Sequence, residues 1–249
     1  VAGRNENGSE AALAALDVVE QVEAQLTVYR ETSELLELNR RAAAEPVVVE
    51  PRMFQLIDRA VTLFHETAGA FDPTSGPLSR AWGFSRRQGR IPDDAELAAA
   101  RESVGAEQVL LDRRACTVRF ARAGMELNLN AVGKGYALDR CREVLTEYGV
   151  TDFLLHGGQS SVLAGGSPER EAGGDARGWT VGIGHPLRPE RRLAEMYVTE
   201  RAVGTSGAGF QFFRHGGRRY GHILDPRTGR PAEGVFSVSV TAPTAAEAD

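Results

Sequence analysis

The stretch Glu126-Leu-Asn-Leu-Asn-Ala-Val-Gly-Lys-Gly-Tyr-Ala-Leu-Asp-Arg140 decides how this chain is read. Glu126 to Leu129 alternates as a short strand, and paired asparagines end it. A tight Gly133-Lys134-Gly135 turn is expected next, then a helix that carries Asp139 and stops at Gly149. The layout brings backbone groups, one Lys and one acid to a point, as a phosphate or phosphate–metal site requires. A Lys at a helix start opposes the positive end of the macrodipole and calls for an anionic neighbour. A ligand phosphate, Asp139 or Asp152 would serve. Asn128 and Asn130 can bond a base edge or carbonyl, or simply tie down their own loop.

Outward from this stretch the pattern is mixed. Upstream it is mainly helical. Leu13, Leu16, Val19, Val22, Leu26 and Tyr29 form an amphipathic stripe, with Asn7 or Ser9 as cap. Thr32 is the expected cap of a short helix through Asn39. Further helices are expected from Pro51 to Ala68, stopped by Gly69, and from near Pro92 to Val104, ended by Gly105. Downstream, strands dominate. Hairpins are expected at 108–120 and at 210–224, the second around His215-Gly-Gly217. Asp152–Leu155, Trp179–Ile183, Arg192–Val198, Arg201–Gly204 and Phe236–Thr241 also read as extended. Hairpins with segregated helices imply an α+β fold with largely antiparallel sheets. The segment Gly165–Gly178 reads as an exposed loop.

Bulk properties bound the function. The chain has 249 residues, 42% hydrophobic and 25% charged, which is ordinary globular composition. Its net charge of −5 and the absence of a long Lys/Arg block make nucleic acid a poor partner. Short arginine pairs such as Arg86-Arg87 and Arg218-Arg219 read as solvated surface. No apolar run approaches the ~18 residues of a membrane span. Two cysteines, Cys116 in a strand pattern and Cys141 in a helix pattern, make neither a disulfide framework nor a zinc site. The chain starts with Val1, and Thr244 with Glu247 announces a helix two residues before the end. It therefore reads as one domain, 1–249, cut at both ends.

Three more stretches carry chemistry. Phe71-Asp-Pro-Thr-Ser-Gly-Pro-Leu78 is a rigid loop whose Asp72 either holds a ligand or caps its own turn. Trp82 and Phe84 beside it read as core. Leu155-His-Gly-Gly-Gln-Ser-Ser161 is either a ligand-approaching turn or a plain one. Ala202-Val-Gly-Thr-Ser-Gly207 reads as a hydroxyl-rich turn suited to oxyanions. In His222-Ile-Leu-Asp-Pro-Arg-Thr-Gly229, a His beside a metal-bound pyrophosphate can take a proton from an attacking hydroxyl; alternatively it bonds its own loop. Asp249, an acid in the first turn of the last helix, stabilises the dipole or binds a hard cation.

Taken in order, these stretches resemble the ApbE family of flavin transferases. The resemblance runs from Ala11 to Asp249. It rests on Tyr29-Arg-Glu-Thr-Ser33 with Leu38-Asn39, Ala70-Phe-Asp-Pro-Thr-Ser-Gly-Pro-Leu-Ser-Arg-Ala-Trp-Gly-Phe84, Val132-Gly-Lys-Gly-Tyr-Ala-Leu-Asp139, His156-Gly-Gly158, Thr205-Ser-Gly207, His222 to Gly229 and Val238-Ser-Val-Thr-Ala-Pro243. It implies a fold related to the tunnelling fold, with FAD as substrate and Mg²⁺ as cofactor. The implied reaction moves FMN from FAD to a Thr or Ser hydroxyl of a target flavoprotein and releases AMP. FAD hydrolysis to FMN and AMP, or flavin binding without catalysis, are the alternatives. By resemblance Tyr29 packs on the flavin, and Ala70, Phe71, Asp72, Asn128, Lys134 and Ile223 contact FAD. Likewise the Ala131 carbonyl and Asp249 hold the metal, and His222 is the general base. The family's export and lipid anchoring imply the cell envelope, on the periplasmic side. The sequence departs from the family at Asn128, where an Asp is usual, and at Asn130, where a small residue is usual. The family's N-terminal Met-Gly-Thr strand and the helix beyond Asp249, with its Thr metal ligand, are absent from the sequence.

Overall fold

The computed structural model describes residues 7–158, 160–168, 177–207 and 211–249. In chain order the helices are α1 (Gly8–Leu26), α2 (Glu34–Arg41), α3 (Pro51–Glu66), α4 (Gly76–Ala81), α5 (Asp94–Glu102), α6 (Asn130–Glu147) and α7 (Ala245–Ala248). The strands are β1 (Val47–Val48), β2 (Val109–Asp112), β3 (Thr117–Phe120), β4 (Phe153–Gly157), β5 (Ser161–Gly165), β6 (Trp179–His185), β7 (Arg188–Val198), β8 (Arg201–Gly207), β9 (Phe212–His215), β10 (Arg218–Gly221), β11 (Leu224–Asp225), β12 (Arg230–Pro231) and β13 (Ser237–Ala242). All pairings are antiparallel, as the α+β reading expects. The chain divides into two compact units: 1–23, 131–207 and 235–249 form the first, and 24–130 with 208–234 the second.

The first unit is built on a four-stranded sheet in the order β13-β8-β5-β4. Side chains alternate between its faces. Leu163 and Ala202 point to the helix side, where Ala11 and Ala15 of α1, Leu138, Cys141 and Leu145 of α6, and Ala245 and Ala248 of α7 close a core. Val162, Ala164 and Val203 point the other way, against Val181 and Val198 of the β6–β7 hairpin. β5 is therefore buried along its whole length. The α1 stripe differs from expectation: Leu13 and Leu16 are exposed, and the buried face is Ala11, Ala15, Val22 and Leu26. Small alanines let α1 lie close to α6, where the Cys141 thiol meets the Ala15 carbonyl at 3.3 Å. Arg201–Gly204 is extended as expected, but the strand, β8, continues to Gly207 where a hydroxyl-rich turn was expected, laddered between β5 and β13.

The second unit packs α2 to α5 with the sheet β1-β3-β2 around Leu35, Leu38, Met53, Ile57, Leu78, Trp82 and Phe120. Caps set its helix starts. Ser33, rather than Thr32, caps α2 by accepting from the Leu36 amide at 3.0 Å. Asp93 and Glu96 form a reciprocal capping box on α5. Trp82 is core, its indole N–H bonded to the Gly229 carbonyl at 2.8 Å. Phe213 and Tyr220 of the β9–β10 hairpin stack at 5.1 Å, and both lie against Trp82. Gly216 and Gly217, both at positive φ, make that hairpin's two-residue turn. Cys116 sits at φ 49° in the bend between β2 and β3, outside the expected strand. Phe210 and most of the Gly165–Gly178 stretch lie outside the described residues; Gly165, at its start, ends β5 and is buried.

Candidate active site

The Glu126–Leu129 segment is extended but joins no sheet. A side chain takes the place of a neighbouring strand. The Asn39 amide donates to the Leu127 carbonyl at 2.9 Å, and its Oδ1 accepts from the Leu127 N–H at 2.8 Å. The Asn128 N–H donates to the Pro73 carbonyl at 2.7 Å. The Asn128 side chain accepts from the Asn130 N–H at 3.0 Å and so turns the chain into α6. An Asp in that place would accept the same bond, so the departure from the family leaves this turn intact.

Gly133-Lys134-Gly135 is not a turn. All three residues lie in α6, which begins at Asn130. The first glycine has open space around it, whereas a Cβ on Gly135 would meet the Ala245 carbonyl oxygen at 2.0 Å. Gly135 is thus required by the close approach of α7 to α6. Asp139, one turn further along α6, accepts from the Ala245 and Ala246 amides at 2.9 Å each, and Thr244 caps the same end. Burial pushes the Asp139 carboxyl above its ordinary range, against the pull of those two amides. A short helix with an acid at its N-terminus is a favourable arrangement.

This docking carries Asp249 to the start of α6. Asp249 lies beyond the first turn of α7, its N–H donating to the Ala245 carbonyl at 3.0 Å, rather than within that turn as expected. Its side chain is 4% exposed. Oδ2 accepts from the Gly135 amide at 2.7 Å, and Oδ1 accepts from the Ser161 hydroxyl. Lys134 Nζ donates to Ser160 Oγ at 2.6 Å and to Ser161 Oγ at 2.9 Å, and lies 3.8 Å from Asp249 Oδ2. The anionic neighbour of Lys134 is therefore Asp249. Asp139 caps α7 instead, and Asp152 accepts from the Ser167 amide. Two of the three ammonium protons are used, and the side chain is half exposed.

The other expected residues have the following places. Ala131 lies in the first turn of α6 and is exposed. Asp72, Ala70, Phe71, Tyr29, His222 and Ile223 belong to the second unit. Asp72 is buried and accepts from the Thr74 amide and hydroxyl at 2.7 and 2.6 Å, so it caps its own turn. Burial raises its pKa despite those bonds. It also lines a cleft of about 320 Å³ with Phe64, His65, Gly69, Arg101 and Arg227. Ala70 is exposed and Phe71 half-buried, and Tyr29 is exposed beyond the end of α1. His222 is half-buried, with Nδ1 at 3.0 Å from the Gln211 carbonyl. That carbonyl can only accept, so Nδ1 carries a proton, and in the neutral ring the lone pair is at Nε2. Asp225 bonds the Arg227 guanidinium and amide, which holds its carboxyl below the ordinary range and makes it a turn residue.

In the sequence Ser160 and Ser161 read only as part of a turn; the structure places both hydroxyls on Lys134. The signal that points there is compositional. Lys134 is the only lysine in the chain, beside 28 arginines. Lysine and arginine are not interchangeable where a compact ammonium must fit among hydroxyls. Among the described residues no group of three or more His, Cys, Asp or Glu side chains is placed to hold a metal ion. The oxygen donors around Asp249 still suit a hard cation such as Mg²⁺. Such an ion commonly takes one or two carboxylates and completes its shell with substrate phosphates and water.

Comparison with known proteins places the chain in a family. The description of the ApbE family matches residues 3–249. An FAD:protein FMN transferase of Klebsiella pneumoniae (strain 342) is 31% identical over 235 residues, covering 93% of this chain and 70% of its own length. One of Treponema pallidum (strain Nichols) is 34% identical over 242 residues, covering 93% of this chain and 67% of its own length. The crystal structure of the ApbE protein of Thermotoga maritima superposes with a TM-score of 0.89 at 30% identity, covering 99% of this chain and 78% of that one. From the match along residues 3–249 and the likeness of fold it follows that the chain belongs to the ApbE family.

Proposed function

We propose that this protein is an FAD:protein FMN transferase. The observation that carries the reading is the Lys134–Ser160–Ser161–Asp249 cluster at the start of α6, a pre-organised cation beside a buried acid, in a chain similar to named flavin transferases. The oxygen of a Ser or Thr hydroxyl on a target flavoprotein attacks the FMN-side phosphorus of FAD. The bond from that phosphorus to the bridging oxygen breaks, AMP leaves with the bridging oxygen, and FMN becomes a phosphoester of the target.

Attack on a pyrophosphate must overcome the negative charge of its oxygens. Lys134 supplies one fixed positive charge through its remaining N–H. A Mg²⁺ held by Asp249 and the Ala131 carbonyl would supply further charge neutralisation and a better leaving group. His222 takes the hydroxyl proton at Nε2, the nitrogen that its Nδ1 contact with Gln211 leaves free. Tyr29, Ala70, Phe71, Asp72, Asn128 and Ile223 are proposed to hold FAD. A place in the cell envelope belongs to the same proposal; among the described residues no helix is long and apolar enough to cross a membrane.

The test is incubation with FAD, Mg²⁺ and a candidate flavoprotein. A fluorescent flavin band that survives a denaturing gel, with one AMP released per band, is the expected result. AMP without a band would make the protein a pyrophosphatase, and intact FAD after hours would make it a binding module.

A further inference from the structure

The tandem serines at the start of β5 do more than shape a turn. Their backbones are fixed before any ligand arrives. The Ser160 carbonyl accepts from the Thr205 amide of β8 at 2.6 Å, and Ser161 is paired with Gly157 of β4 and Gly204 of β8. Ser161 is 1% exposed, which makes it one of the few polar residues buried in the described chain. A buried hydroxyl is costly unless its bonds are made. Here its two short bonds go to the two charged groups of the site, and Ser160 Oγ lies at 3.5 Å as a third contact.

The direction of those bonds is forced. Lys134 can only donate, so Ser161 Oγ accepts from it. The single Ser161 proton is then committed to Asp249 Oδ1. The chain Lys134 to Ser161 to Asp249 runs one way. It holds an ammonium and a carboxylate near each other without letting them close into a direct hydrogen bond, as the 3.8 Å separation shows. Ser160 takes a second ammonium proton. What remains is one ammonium N–H and a carboxylate whose orientation is set from two sides.

We propose that Ser160 and Ser161 are positioning residues that keep Lys134 from collapsing onto Asp249 and so present both to the ligand. Without Ser161 the ammonium loses its spacer and pairs with the carboxylate directly. The cation is then less available to an anion and the carboxylate less available to a cation. This inference deepens the flavin-transfer reading and rests on it for the identity of the ligand, but not for the existence of the hydrogen-bond chain.

Because Lys134 is the only lysine, an amine-reactive acylating reagent followed by mass spectrometry of the 134-containing peptide reports that ammonium alone, with no FAD present. Ser161→Ala is expected to change the Lys134 labelling rate at least threefold. It should also weaken FAD, read by flavin fluorescence, about tenfold, the size expected for a hydrogen bond to a charged group. Half-saturation by Mn²⁺, read by its paramagnetic resonance signal, should move to higher concentration. Ser161→Thr keeps the hydroxyl and should restore all three. Ser160→Ala, at a half-buried position, should shift labelling and FAD affinity in the same direction with an unchanged melting temperature. Wild-type labelling in both alanine variants would overturn the proposal. A wild type that binds no FAD would instead overturn the transferase reading, while the labelling result would still decide this one.

Discussion

The amide of Gly135 donates to Asp249 Oδ2 at 2.7 Å, joining the start of α6 to the end of α7 across 114 residues of chain. The bond exists because no side chain stands between the helices. A Cβ on Gly135 would lie 2.0 Å from the Ala245 oxygen and 2.6 Å from the Ala246 nitrogen. Both are backbone atoms, which cannot rotate away. Gly135→Ala should therefore lower stability by about 1–3 kcal/mol, the usual cost of overpacking, and displace Asp249. Gly133, two residues away, has nothing within 4 Å of the same added atom. Gly133→Ala should raise stability by about 0.5–1 kcal/mol through lost unfolded-state entropy. Urea denaturation of the two variants would refute the account if both midpoints moved the same way.

The lone lysine yields a second prediction. Lys134→Arg keeps the charge but replaces a compact ammonium with a planar fork. The fork cannot place single N–H groups on Ser160 Oγ and Ser161 Oγ at 2.6 and 2.9 Å while leaving a third for a phosphate. Transfer to the flavoprotein should fall by roughly 10²-fold, the scale seen when a transition-state donor is removed, and Lys134→Ala should not be much worse. Steady-state rates for the two variants give the comparison. An arginine variant within a factor of three of wild type would mean that charge alone suffices.

Asp72 makes stability depend on pH in an unusual direction. Burial raises its pKa, with the Thr74 bonds opposing the rise. Between the ordinary aspartate range and the raised native value, the folded state binds more protons than the unfolded one. The unfolding free energy then falls as pH rises, by the linkage relation. Asp72→Asn removes the titration. It keeps the acceptor for Thr74 and loses the one facing the Ala106 amide, a constant cost of about 1 kcal/mol. Asp139 shifts the same way but is unchanged by this substitution, so the difference between variant and wild type isolates Asp72. That difference should move in favour of the variant as pH is raised from the acid end through this window, then level off. A difference independent of pH, measured by denaturation at five or six pH values, would remove Asp72 as its source.

Local signals revealed some parts of this molecule and not others, for physical reasons. The body of α6 and its stop at Gly149 follow from apolar spacing and a residue at positive φ, both properties of neighbouring positions. The Gly216-Gly217 hairpin is equally local. A local window reads Gly135 as part of a turn, because its glycine answers to Ala245, which no such window contains. Glu126–Leu129 was misread as a strand for a similar cause: its ladder partner is the amide of Asn39, 88 residues away. The β5 strand hid behind a Gly- and Ser-rich run, since full burial on both faces leaves no alternation to read. Lys134 was legible as a residue in need of an anion. Which acid answered it depended on α7 docking, and only the fold could say.

The proposed general base admits the most direct test. His222 lies just after β10, with its Nδ1 held at 3.0 Å by the Gln211 carbonyl and its own amide bonded to the same oxygen at 3.2 Å. A backbone oxygen cannot donate, so the tautomer is set by the loop and does not depend on a ligand. The imidazole is then competent to take a proton at Nε2 without reorientation. His222→Ala removes that acceptor and leaves Lys134, Asp249 and their serines untouched. FAD affinity by fluorescence titration should stay within about threefold of wild type, because the variant keeps the cationic cluster. FMN transfer should drop by roughly 10²–10⁴-fold, the range for loss of a general base, and added imidazole should recover part of it. A His222→Ala protein that flavinylates its target at the wild-type rate would exclude His222 from the proton transfer and leave the hydroxyl to be activated by another group.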